Sequence, residues 1–303
     1  MPVEPDAVRS GFVAVVGRPN AGKSTLVNAL VGVKVAITSE MPQTTRHRLR
    51  AVIDRDDAQV VLVDTPGIHK PVDALGEEVN RSSMLALADV DVIALCVDAT
   101  AAVGPGDRWI AQRVFGRDTP CVLVITKADA ARDGMVENQL AAGRALGQFA
   151  DEVVLSAMSG FNLEGFVSAV VRLLPLGPRF FPRDMRTDQS TEVMLAELVR
   201  EKVLRHTRDE VPHAVGVALD ELRYDERRAL HTVRSTVYVE RDSQKGIIIG
   251  KGGEMVRLIG TEARGDLERL LGGKVYLDLR VKVKKDWRRD SSQIKRFGYG
   301  EGL

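Results

Sequence analysis

Along its first 175 residues the chain alternates short, continuously apolar runs with stretches of helical spacing. The runs at 12–16, 50–54, 59–63, 92–97, 121–126 and 152–155 predict strands, and residues 60–63 and 92–97 carry no charged or amide side chain. Strands that do not alternate are buried on both faces, so these runs predict a mostly parallel sheet with helices on either side. Residues 175–182, with prolines at 175, 178 and 182, break both periodicities and predict an extended linker. Beyond them the pattern changes. Residues 191–208 have helical spacing through Val193, Leu195, Leu198, Val199 and Val203. Alternating runs at 213–221 and 232–240 predict two strands, helical segments around a glycine-rich turn cover 246–271, and a last strand covers 274–283. The order α-β-β-α-α-β is unlike the first half, so the pattern predicts a first domain over 1–174, a linker over 175–190 and a second domain over 191–303.

Composition changes this picture little. Apolar residues at 44% and charged residues at 28% belong to a soluble globular chain, and a net charge of +1 advertises no partner. Residues 191–303 hold 23 Lys/Arg against 19 Asp/Glu, too small an excess to indicate nucleic acid unless it is clustered. Cys96 and Cys121 sit inside apolar runs and read as buried, reduced packing residues, not as a disulfide or metal site. No basic segment followed by an apolar core opens the chain, and no apolar run approaches the ~18–20 residues that span a bilayer. A cytoplasmic protein is expected.

The chemistry begins at residues 17–25, Gly-Arg-Pro-Asn-Ala-Gly-Lys-Ser-Thr, a complete G-x-x-x-x-G-K-S/T loop between a strand and a helix start. Backbone N–H groups of Gly17, Asn20, Ala21, Gly22 and Thr25 can wrap phosphates, aided by the helix dipole. Lys23 would reach the β- and γ-phosphates and Ser24 would ligate Mg²⁺. Asp64-Thr65-Pro66-Gly67 follows the buried strand 59–63, where Asp64 can hold Mg²⁺ through water and the Gly67 N–H can sense a γ-phosphate. Thr126-Lys127-Ala128-Asp129 ends the strand 121–125, and Asp129 can accept two N–H groups of guanine, a pairing adenine lacks. Lys127 would cover the purine face, and Ser156-Ala157 would bring an N–H to guanine O6. Three motifs in this order at strand ends indicate a guanine nucleotide.

In the second half, Ile248-Ile249-Gly250-Lys251-Gly252-Gly253 forms a G-x-x-G loop between helical segments. Such loops let backbone approach a phosphate chain while the adjoining groove takes about four single-stranded bases. Lys282, Lys284, Lys285, Arg288 and Arg289 form a basic run with Trp287 and Phe297 interleaved, read as phosphate-binding cations beside stacking surfaces for RNA.

Residues 17–25, Gln43-Thr44-Thr45-Arg46-His47, 64–67, 126–129 and Ser156-Ala157-Met158 resemble the five signatures of the Era family of bacterial GTPases, and residues 275–288 resemble the end of its C-terminal KH domain. The resemblance spans nearly the whole chain. It implies an α/β fold: a P-loop GTPase domain with a mostly parallel sheet, then a smaller α+β type II KH domain. Hydrolysis of GTP to GDP and phosphate is expected, with Lys23, Thr45 and Gly67 as the catalytic set and Thr45 joining Ser24 on Mg²⁺. The resemblance further implies binding to the 3′ end of 16S ribosomal RNA, assembly of the 30S subunit, and peripheral association with the inner face of the cell membrane. A monomer is expected.

Two residues depart from common patterns. Thr126 stands where the family usually has Asn, so the amide that ties this segment to the phosphate loop is missing and a lowered nucleotide affinity is expected. Ile68 stands where many small GTPases keep a water-orienting glutamine, so intrinsic hydrolysis should be slow. Members with an Asn at the place of Asn20 often use K⁺, which makes Asn20 a K⁺ ligand by resemblance. His69 is expected to be an exposed loop histidine without a catalytic part. An RNA-binding assembly protein with a mainly structural nucleotide is the alternative that Ile68 and Thr126 keep open. A GTPase serving RNA modification is disfavoured, since no second catalytic constellation is visible.

Overall fold

The computed structural model describes residues 8–41, 44–66 and 73–299. In chain order the first half contains β1 (Val8–Gly17), α1 (Lys23–Val31), β2 (Leu49–Asp54), β3 (Ala58–Asp64), α2 (Ala74–Ala86), β4 (Val92–Asp98), α3 (Pro105–Val114), β5 (Cys121–Thr126), α4 (Met135–Arg144), β6 (Asp151–Val154) and α5 (Leu163–Leu173). The sheet order is β2-β3-β1-β4-β5-β6, parallel except for β2, which runs antiparallel to β3 at the edge. Every residue of β3, β4 and β5 is buried, which is why their sequences show no alternation. Val13 and Val15 face α1 and α5, where Leu26, Phe166 and Val170 pack. Their neighbours Ala14 and Val16 face the other way, onto Ile110 and Val114 of α3. Cys96 and Cys121 are buried free thiols.

The proline-rich segment is extended but does not hang free. Leu176–Gly177 form a short strand, β7, antiparallel to the start of β1. Phe180 and Phe181 donate their N–H groups to Gln59 Oε1 at 2.7 and 2.9 Å, and Asp188 accepts from the Arg50 N–H at 3.2 Å. The chain is therefore stitched along the β2–β3 edge before it enters the second half.

That half holds α6 (Thr191–His206), α7 (Val211–Ala214), β8 (Gly216–Asp225), β9 (Leu230–Val239), α8 (Asp242–Ile249), α9 (Glu254–Leu271), β10 (Lys274–Val283) and α10 (Ser291–Arg296). Ser190 caps α6, accepting from the Val193 N–H at 3.3 Å. The sheet order is β10-β9-β8, with β9 parallel to β10 and antiparallel to β8. Leu195, Leu198 and Val199 of α6 pack with Ile259, Ala263 and Leu267 of α9 on one face, against Val217, Val233 and Val237. The expected strand over 213–221 starts later, at Gly216, because residues 211–214 close a helical turn with Pro212 near its start.

The tail does not stay in solvent. Trp287, Ile294, Phe297 and Tyr299 are buried with Ala218 and Tyr238 from the outer face of the sheet and Leu75 and Val79 from α2. The expectation of exposed stacking surfaces at Trp287 and Phe297 is thus wrong. Their rings are 0% and 6% exposed, and the Trp287 indole N–H donates to the Ala214 carbonyl at 2.8 Å. Burying this much aromatic surface outweighs what an exposed platform would gain in the absence of RNA.

Candidate functional site

The turn after β1 needs glycine at its first position. A Cβ on Gly17, at φ 154°, would stand 2.6 Å from the Cys96 carbonyl oxygen of β4. The loop then curls so that the Lys23 ammonium, buried, donates to the carbonyls of Gly17 and Arg18 at 3.1 and 2.9 Å. Burial lowers the Lys23 pKa, with Asp64 acting in the opposite sense. Ser24 Oγ donates to Asp64 Oδ2 at 2.8 Å and lies 2.9 Å from Thr45 Oγ1. Three oxygens from three separate segments thus meet beside the loop. Asp64 is fully buried, which pushes its carboxyl up to about 6 against the pull of Lys23 and the hydroxyls.

Asp64 Oδ1 has no hydrogen-bond partner. Among the described residues no group of three His, Cys, Asp or Glu side chains could hold a metal. Two hydroxyls and one carboxylate with an orphaned oxygen instead fit Mg²⁺, a hard cation that shares its ligands between a few protein oxygens, water and phosphate. The cavity here measures about 640 Å³, and Asn20, Gly22, Thr25, Thr38, Thr44 and Lys127 are among its lining residues. Asn20, at φ 65°, donates its side-chain amide to the Glu40 carbonyl at 2.5 Å. Ala21, within the loop, is buried.

At the far side of the cavity Lys127 adopts φ 57°, and a Cβ on Gly22 would lie 3.8 Å from its Cε, so its stem crosses the phosphate loop. Its ammonium pairs with Asp98 at 2.6 Å. Burial opposes the Asp98 charge, but the bonds from Lys127 and Thr100 outweigh it and hold the carboxyl below its usual range. Asp129 is exposed and held by Ser156, whose hydroxyl donates to Oδ1 at 2.6 Å; Ala157 follows on the same turn.

The expectation that Thr126 leaves the phosphate loop untied does not hold. Its hydroxyl donates to the Ala21 carbonyl at 2.9 Å and also lies 3.2 Å from the Val97 carbonyl. A hydroxyl at this buried position makes the tie from the side chain, as an amide would. Gly67, Ile68, His69 and Gln43 lie outside the described residues.

In the second half Gly250 breaks α8 at φ 74°, where a Cβ would stand 2.8 Å from the Met255 nitrogen. Lys251 and Gly252 are exposed and Gly253 opens α9 at φ 79°. Ile249 is partly exposed, but Ile248 is 0% exposed in the core, so its assignment to RNA contact is corrected: it anchors α8. Lys282, Lys284, Lys285 and Arg289 are exposed. Arg288 is not free for phosphate. It binds Glu240 at 2.7 Å and reaches across to Asp73, the residue capping α2, at 3.1 Å.

Pattern reasoning missed the contact between halves. Residues 44–47 are gripped from α6, α7 and the tail. Arg200 donates to the Thr44 carbonyl, Glu197 lies 3.5 Å from His47 Nε2, and Glu201 accepts from the Thr38 N–H at 2.9 Å. Leu204 and Arg205 of α6 also line the nucleotide cavity. The available signal was weak: α6 carries Glu197, Arg200, Glu201 and Lys202 in a helix that turns out buried nearly all round.

A family model described as 50S ribosome-binding GTPase matches residues 12–127, and a KH domain model matches residues 210–288. GTPase Era of Mycobacterium avium is 50% identical over 96% of this chain and 99% of that protein. GTPase Era of Mycolicibacterium smegmatis is 49% identical over the same shares. Among solved structures, an Aquifex aeolicus Era variant bound to GDP·AlF4⁻ is similar with a TM-score of 0.93 at 37% identity, covering 97% of this chain and all of that one. An Era structure in complex with MgGDPNP and nucleotides 1506–1542 of 16S ribosomal RNA is similar with a TM-score of 0.91 at the same identity and coverage. With a phosphate loop, guanine motifs and a G-x-x-G domain in this order, and such identity over its length, the chain belongs to the Era family of GTPases.

Proposed function

We propose that this GTPase acts as a switch that binds the 3′ end of 16S ribosomal RNA through its KH half and assists assembly and maturation of the 30S subunit. The observation that carries the coupling is the position of residues 44–47. On one side Thr45 meets Ser24 at the phosphate loop; on the other, Thr44 and His47 are held by α6. A ligand shifts an equilibrium only through differential affinity, and a γ-phosphate that favours this arrangement of Thr45 favours the present docking of α6 as well.

Within the site, Lys23 is aimed at the β- and γ-phosphates, and Asp129 with the Ala157 N–H recognises guanine. Ser24 and Thr45, with Asp64 through water, would hold Mg²⁺, which when bound neutralises charge developing on the phosphates. Ile68 offers no polar atom to the attacking water, so turnover without a partner is slow. Asn20 is the proposed K⁺ ligand; equal turnover in Na⁺ and K⁺ at matched ionic strength would remove it. The exposed Lys251, Lys282, Lys284, Lys285 and Arg289 supply the phosphate contacts to RNA around the G-x-x-G turn. Among the described residues no helix is long and apolar enough to cross a membrane, so any membrane association we propose is peripheral.

The deciding experiment measures binding of a single-stranded oligonucleotide from the 16S 3′ end with a GTP analogue, with GDP and without nucleotide. Tighter binding with the analogue than with GDP is expected. Equal binding in all three states would leave two independent modules and favour a nucleotide that is mainly structural.

A further inference from the structure

Arg46 is one of the largest fully enclosed side chains of the protein, at 2% exposure, yet its bonds go to main-chain carbonyls of the other half. Nη1 donates to the Val215 carbonyl at 2.6 Å, and Nη2 to those of His213 and Pro212 at 3.2 and 3.3 Å. Its guanidinium carbon lies 5.2 Å from the centre of the Tyr299 ring and 5.8 Å from that of Trp287. Nε has no hydrogen-bond partner, so the guanidinium is buried without being fully satisfied. An apolar side chain of similar volume would pack there at less cost. The charge therefore has a use other than cohesion.

Its neighbour supplies one. Consecutive Cα atoms are about 3.8 Å apart, so the place at which Arg46 is held limits where Thr45 can stand. Thr45 Oγ1 stands 2.9 Å from Ser24 Oγ at the phosphate loop. We propose that Arg46 is a positioning residue for Thr45. Clamped by two carbonyls of α7, by that of Val215 just beyond it and by the aromatic tail, it holds the threonine where a γ-phosphate and its cation need it. Preference for GTP over GDP is set partly from the KH half. This deepens the coupled-switch reading and rests on it.

Two substitutions test the inference. Arg46→Met keeps the volume and removes the fork; Arg46→Lys keeps the charge but can reach fewer of the three carbonyls. The readouts are the melting temperature, affinities for a non-hydrolysable GTP analogue and for GDP at fixed Mg²⁺, and oligonucleotide binding in each nucleotide state. Loss of a residue that orients a ligand costs about ten- to a hundredfold. Arg46→Met should therefore weaken the GTP analogue by at least about tenfold while GDP, which makes no use of Thr45, stays within about twofold. Arg46→Lys should fall between. Parallel weakening of both nucleotides with a lower melting temperature would reduce Arg46 to packing and overturn the proposal, as would an unchanged ratio. If the unaltered protein binds RNA equally in every nucleotide state, the switch reading fails, and the GTP-to-GDP ratio still judges Arg46 by itself.

Discussion

Replacing Glu197 by Gln should unlatch the two halves of the molecule. The carboxylate is 6% exposed and receives two bonds of 2.7 Å from Arg200, which is itself 0% exposed, with His47 Nε2 3.5 Å from Oε1. Burial opposes the Glu197 charge, yet Arg200 and His47 outweigh it and hold the carboxyl far below its usual range. Glutamine leaves the Arg200 charge buried and uncompensated, with Nη1 already lacking a partner. Breaking such a pair costs about 3–5 kcal/mol. In a protein of this size that corresponds to roughly 10 °C in the transition that includes α6. The sign with pH follows from the depressed value. The contribution is present above the unfolded carboxyl pKa of about 4.3 and is lost as pH falls below it toward the folded value. Thermal melts followed by circular dichroism between about pH 7 and pH 3 should show the unaltered protein losing stability on acidification. Glu197→Gln starts low and shows less of that slope. Glu197→Leu combined with Arg200→Met should recover most of the loss, since no buried charge is left unpaired. A Gln variant melting within about 2 °C of the parent, or acid slopes that run in parallel, would refute this account.

Thr126→Val removes the hydroxyl that reaches Ala21 and Val97; a lost bond of about 1 kcal/mol should weaken GDP and the GTP analogue alike, by about fivefold, in titrations with labelled nucleotide. Unchanged affinities would show that the tie does not shape the phosphate loop. Ser156→Ala frees Asp129 from its 2.6 Å bond, and guanine nucleotides should weaken about tenfold with adenine nucleotides unaffected; competition assays that keep the full guanine preference would count against that support. Gly250→Asp adds a Cβ 2.7 Å from Met255 Cβ at φ 74° and puts a negative charge where RNA phosphate would pass. Oligonucleotide affinity should drop by more than about tenfold with GDP affinity intact, and retention of RNA binding would move the interface elsewhere.

Features set by local spacing were readable from the chain alone. Buried parallel strands betray themselves by lacking alternation, and the turns at Gly17 and Gly250 need residues that only glycine satisfies. Ser24, Asp64, Lys127 and Asp129 are expected at one edge of the sheet because each follows a strand or opens a helix, where the backbone fixes the direction of its side chain. What pattern could not give was the partner of a surface. A run of lysine and arginine with interleaved aromatics looks the same whether it meets RNA or folds back on its own sheet, and here it divides. Lys284 and Lys285 face solvent, while Trp287 and Phe297 go inward and Arg288 is claimed by Glu240 and Asp73. Thr126 was misjudged for a related reason. The missing amide was evident, but a hydroxyl that satisfies the same loop depends on a separation between β5 and the phosphate loop that sequence does not carry.

The charges of α6 acquire a meaning once that helix is seen as a strut between two sites. A helix of 16 residues spans about 24 Å and cannot bend cheaply along that length. On one side its Glu197, Arg200 and Glu201 hold His47, Thr44 and Thr38. On another its Lys202 pairs with Asp266 of α9, the helix that begins at the last glycine of the G-x-x-G turn. Asp266 is also 3.6 Å from Lys34, just after α1, so one carboxylate of the KH half touches both the strut and the nucleotide half. Each of these charges is nearly buried except Lys34, and sliding α6 by a turn would leave several unpaired at once. The interface therefore favours discrete docked arrangements over graded ones, which is the property a two-state switch requires. Apolar residues at the same positions would allow the helix to slip with little penalty. The polar character of α6 therefore suits the proposed switch more than the stability of the fold.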